Sequence, residues 1–96
     1  MKNQNQNQIS ICIPRVDNNT TKEHISNVLQ NSNLFKVDLI NEIPLRNDPE
    51  HKRILMKIRM NRNNENAQFM EDRLKNEGNI KFVYDMPWYW KICLSH

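Results

Sequence analysis

From Arg53 to Met60 the chain alternates basic and apolar residues. Ile54, Met56, Ile58 and Met60 fall on one side, and Arg53, Leu55, Lys57 and Arg59 on the other. A period of two marks a strand that buries one face and shows the other to water. Here the shown face is nearly all cationic, a candidate surface for a polyanion. The same period runs through Ile9-Ser10-Ile11-Cys12-Ile13, predicting a first strand with three isoleucines inward, ended by Pro14.

Helical periods separate the strands. Thr20-Thr21-Lys22-Glu23 has the spacing of a capping box, in which the Thr20 hydroxyl accepts from the amide three residues on and Glu23 reaches back. Ile25, Val28 and Leu29 then form one apolar stripe, and Asn31-Ser32-Asn33 stops the helix. A second strand is expected over Phe35 to Leu45, with Val37 and Leu39 inward and Asp38, Ile40 and Glu42 opposite. The charged loop Arg46 to His51 leads into the basic strand, with turn chemistry from Asp48 and Pro49. Ala67, Met70 and Leu74 mark a second helix, and Gly78, the chain's single glycine, marks its end.

Ile80 to Tyr84 reads as a short preceding strand, Asp85-Met86-Pro87 as a turn, and Trp88 to Leu94 as the last sheet strand. The expected order is β-α-β-β-α-β: an α+β two-layer sandwich with a four-stranded antiparallel sheet. Right-handed crossovers place both helices on one face and leave the other open. Residues 9–96 make one such domain, preceded by a disordered Asn/Gln-rich tail over residues 1–8.

Composition bounds what this domain can be. Mean hydropathy is −0.86 and hydrophobic content 38%, so a modest core lies under a very polar surface. Asparagine occurs 16 times, which an AT-rich genome explains more simply than a binding role for the polar tract. The net charge of +3 is by itself a weak pointer to nucleic acid. Two cysteines make no disulfide framework, which fits a reducing compartment. No apolar run approaches the ~20 residues that cross a bilayer, and the N-terminus lacks the apolar core of a signal peptide. No membrane partner is expected.

The chain resembles an RNA recognition motif over about residues 9 to 94. Ile11-Cys12-Ile13-Pro14-Arg15-Val16 lies where that family has its first-strand signature, followed by a polar loop and Thr20-Thr21-Lys22-Glu23-His24-Ile25. Ala67, Met70 and Leu74 with Gly78 resemble its second helix and the Asn-Gly region after it. Tyr84-Asp85-Met86-Pro87-Trp88-Tyr89-Trp90-Lys91 is similar to a segment of small RNA-recognition-like proteins of nucleocytoplasmic large DNA viruses. That resemblance implies a viral protein acting inside a cell, in the host cytoplasm.

The departures change the chemistry. The family stacks bases on aromatic rings held on the open sheet face. With Arg53 at the start of the third-strand pattern, Leu55 and Lys57 stand where two rings belong, and Cys12 where a first-strand ring is common. Stacking is worth ~1–3 kcal/mol per base, so what remains is a mostly electrostatic surface with little sequence preference.

The candidate interface is Arg53, Lys57, Arg59 and Lys91 on phosphates, with Tyr89 as the one outward ring and Leu55 and Cys12 between them. The competing reading is an ordinary solvated face, with Asp38 and Glu42 as ion-pair partners. By alternation Trp90, Ile92 and Leu94 are core, while Trp88 at the strand start could anchor a protein. Leu55, Ile40 and Cys12 would give the open sheet an apolar centre. Cys12 and Cys93 are expected on adjacent strands of that face, as free thiols, a redox pair, a disulfide or a metal site. His24, His51 and His96 share no motif, and no cofactor or metal is expected.

Enzyme signatures are absent: no Gly-rich phosphate loop, no HExxH and no nucleophile elbow. The expected function is therefore non-enzymatic, weak and sequence-tolerant binding of single-stranded nucleic acid, RNA foremost. The alternative is a protein-interaction module or a viral structural or accessory protein that binds no nucleic acid.

Overall fold

The computed structural model describes residues 8–95. The tail expected over residues 1–8 lies outside the described residues up to Asn7, and Gln8 already belongs to the first strand. His96 is also outside them.

The element order is β1 (Gln8–Asp17), α1 (Lys22–Asn31), β2 (Phe35–Leu45), β3 (Asp48–Met60), α2 (Glu65–Glu77), β4 (Asn79–Asp85) and β5 (Trp88–Leu94). All pairings are antiparallel, in the order β2-β3-β1-β5-β4. The expected four-stranded β-α-β-β-α-β arrangement is thus corrected to five strands. The segment read as a short preceding strand pairs with β5 along its length, Ile80 with Ile92 and Phe82 with Trp90, and forms one edge of the sheet. Its own alternation, Ile80 and Phe82 buried and Lys81 exposed, is what a sheet strand requires.

Each boundary has a local cause. Thr21, one residue later than expected, caps α1 and accepts from the His24 amide at 3.1 Å. The Asn64 side chain caps α2 by accepting from Asn66. Gly78 ends α2 at φ 85°, in the left-handed region, donating its N–H to the Leu74 carbonyl at 2.9 Å. The hairpin turn between β2 and β3 is only Arg46-Asn47, so Asp48 to His51, expected as loop, belong to β3.

Two bulges reset the register. Pro14 does not end β1; the strand continues to Asp17 with an irregularity between Ile13 and Val16, where Pro14 and Arg15 both lie against Arg53. In β2 the register shifts at Asp38, so Val37 pairs with Ile58 while Leu39 pairs with Lys57 and Ile40 with Met56. The expected inward Leu39 is therefore on the open face and 46% exposed, and the expected outward Ile40 and Glu42 are on the helix side. One extra residue reverses every side chain beyond it.

Ile25 and Leu29 of α1 and Ala67 and Leu74 of α2 join Ile11, Ile13, Ile54, Met56, Ile58, Trp90 and Ile92 in one core, so both helices cover the same face. Phe35 of β2 and Phe82 of β4 also meet there, with ring centroids 6.0 Å apart. On a flat sheet four strand spacings would separate those edges by about 19 Å. The sheet curls toward the helices until its outermost strands share the core.

Candidate functional site

Among the described residues no element lies over the other face, and the register arranges it in rows crossing the strands. One row runs Ile43, Arg53, the Pro14 bulge, Lys91 and Lys81; the first and last of these pairs are direct partners. The central row is Asn41, Leu55, Cys12, Cys93 and Asn79. A third runs Leu39, Lys57 and Ser10, and a fourth Lys36, Arg59 and Gln8. The structure thus puts Arg53, Leu55, Lys57, Arg59, Cys12, Tyr89 and Lys91 on a single face, yet spreads their charges. An uncharged strip separates the Arg53–Lys91–Lys81 row from Lys57.

The cations differ in availability. Arg59 is bound to Asp38 through Nε at 2.8 Å and Nη2 at 2.9 Å, and Gln8 donates to the same carboxylate. Those hydrogen bonds, Arg59 first, hold the Asp38 carboxyl below its ordinary value, and Asp38 in turn raises Arg59. Glu42 does not serve the open face. It accepts from Lys52 at 2.9 Å, a bond that also lowers its carboxyl, and Lys52 is buried on the helix side. Arg53, Lys57 and Lys91 have no carboxylate partner among the described residues.

Tyr89 is 47% exposed beside Val83, and the Lys81 ammonium sits 5.0 Å from its ring centroid. That contact is a cation–π pair, and pairing with Lys91 adds Lys81 to the cations of the face. The sequence alone does not point to it, because a four-stranded sheet leaves Ile80 to Tyr84 without a partner, although the alternation Ile80-Lys81-Phe82 carries the signal. Trp90 is core, stacked at 4.3 Å on Tyr84 and edge-on to His24. Trp88 stands 63% exposed at the hairpin end, next to Met86.

Leu55 and both thiols are half-buried in the central strip. Burial, then the neighbouring Cys93, raise the Cys12 thiol, and the Arg53 guanidinium partly offsets them. Leu39, not Ile40, completes the apolar centre with Leu55. The depression they line with Ser10, Asn41, Lys57 and Ser95 is only about 150 Å³. Small-molecule sites run about 300–1,000 Å³, so this depression falls below that range.

Among the described residues no three metal-ligating side chains cluster, and no helix is long and apolar enough to cross a membrane. Compared with protein-family models, curated proteins and solved structures, the chain matches none.

Proposed function

We propose that this protein binds single-stranded nucleic acid, RNA foremost, weakly and with little sequence preference, through the open sheet face. The observation that carries the reading is the set Arg53, Lys57, Lys81 and Lys91, on one uncovered face without carboxylate partners among the described residues, with Tyr89 among them. Phosphate contact supplies affinity, and the ring offers a sequence-tolerant stacking surface. Leu55, Lys57 and Cys12 in place of further rings keep that affinity low. The free thiols and the resemblance to viral RNA-recognition-like proteins fit action inside a cell.

Fluorescence anisotropy with short labelled single strands, over a salt series, tests it. Four phosphate contacts give a log–log salt slope of about −3 for a single strand. Lys57→Glu should weaken binding and flatten that slope. Absence of binding even at low salt removes the reading.

A second reading, a protein-interaction module, has its own observation. Val83, Tyr84, Met86, Trp88 and Tyr89 are all exposed within one hairpin, an apolar concentration that marks interaction surfaces. Retention of a partner that a Trp88→Ala variant loses, with no effect from Lys57→Glu, would favour it.

A further inference from the structure

The sheet is continuous on both sides of one weak seam. On one side β2, β3 and β1 pair over long ladders; on the other β4 and β5 pair over nearly their full length. Between β1 and β5 the register pairs among the described residues are Ile11 with Leu94 and Cys12 with Cys93. One further bond, from the Ser95 N–H to the Ser10 carbonyl at 2.9 Å, extends that ladder.

Proline explains where it stops. Ser10 points its backbone groups at β5, and so by period two do Cys12 and residue 14. Residue 14 is proline and has no N–H to give, and the β1 register is irregular there. The last pair before the break is the two cysteines.

We infer that Cys12 and Cys93 are a paired modification site, a dithiol that a peroxide converts into a cross-strand disulfide stapling the β4–β5 hairpin to the rest of the sheet. Ser95 donates its N–H to the Ser10 carbonyl directly opposite, so Cys12 and Cys93, two residues along, stand at the same kind of position in the ladder. Hydrogen-bonded positions hold their Cα atoms about 5.5 Å apart. A disulfide spans Cα separations of roughly 4.4–6.8 Å. Both thiols lie on the same face, half-buried, and close enough that Cys93 raises the Cys12 thiol. The chemistry balances. One thiolate takes an oxygen from hydrogen peroxide, giving a sulfenic acid and, with its proton, water. The second thiolate attacks that sulfur and displaces hydroxide, which leaves as a second water. Two thiols are oxidised, one peroxide is reduced, and one S–S bond forms.

The staple crosses the seam between the two halves of the basic face, Arg53 and Lys57 on one side and Lys81, Tyr89 and Lys91 on the other. It needs no ligand and stands whether or not the face binds nucleic acid.

The test uses the full chain, reduced, freed of reductant and treated with hydrogen peroxide. Expected is a monomer lighter by two hydrogens, a Cys12–Cys93 linked peptide on mapping, and loss of both thiols to maleimide. Hydrogen exchange at the Ser95 amide should slow by roughly tenfold or more and recover with dithiothreitol. Cys12→Ser and Cys93→Ser should each abolish the response. The wild-type oxidised-against-reduced comparison stands even if a variant fails to fold. Intermolecular dimers, over-oxidation to sulfinic acid without a disulfide, or a disulfide that leaves Ser95 exchange unchanged would each overturn the inference.

Discussion

Arg59 and Asp38 hold each other through two parallel hydrogen bonds on the open face, at the point where the β2 register shifts. The strongest-looking cation of the basic strand is thus the one already engaged. Asp38→Asn should release it and remove one negative charge. Affinity for a single strand should rise a few-fold at low salt, with the salt slope steeper by about 0.7.

The same pair fixes a pH dependence. The Asp38 carboxyl is held below its ordinary value of about 3.9 by bonds made only in the folded state. Its contribution to stability is then present above the unfolded value and lost as pH falls through the folded one. Asp38→Asn should melt lower than wild type at neutral pH, and the two curves should converge as pH drops below about 4. A gap that stayed constant down to about pH 2 would show that the cost lies elsewhere.

Tyr89 and Trp90 are sequence neighbours with opposite fates. Tyr89→Ala should weaken single-strand binding by ~1–3 kcal/mol if one base stacks there. Stability should change by less than about 1 kcal/mol, the worth of its exposed cation–π contact. Trp90→Ala removes a core ring packed on Tyr84 and Phe82 and should cost about 3–5 kcal/mol in urea unfolding. Equal stability losses would contradict the face assignment of β5.

Lys52 is a buried lysine whose ammonium donates to Glu42. Removing only the carboxylate leaves a buried charge without its partner, whereas an apolar side chain of similar volume leaves none. Glu42→Ala should therefore lower the urea midpoint more than Lys52→Met. The reverse order would mean that water solvates the ammonium.

Gly78 sits at φ 85°, and a Cβ built there meets nothing within 4 Å. Any penalty of Gly78→Ala is then pure backbone strain, about 1–2 kcal/mol. Equilibrium unfolding should show that loss with an unchanged denaturant slope.

The sequence exposes the elements of this fold better than their pairing. Strict alternation from Ile54 to Met60 and the single glycine at 78 are legible because each depends on local geometry alone. Asp38 is not, since no residue type announces the bulge that sends Leu39 outward and Ile40 inward. Pro14 misleads in the other direction. It reads as a strand end, yet the strand absorbs it in a bulge at the sheet centre. Ile80 to Tyr84 reads as a strand from its alternation, but a four-stranded frame gives it no partner in the sheet. Lys81 was lost with it, while Arg53, Lys57 and Lys91 followed directly from period two.

The meeting of Phe35 and Phe82 inside the core has a counterpart outside it. If the two edges bend toward the helices, the cationic face is the convex side of the sheet. A stiff rod touches a convex surface along a line. Duplex DNA, straight over about 50 nm, would reach few of these cations at once. A flexible strand can follow the curvature from Arg53 past Lys91 to Lys81 and Tyr89. Under the proposed function, discrimination against duplex then follows from the shape of the sheet, with no side chain dedicated to it.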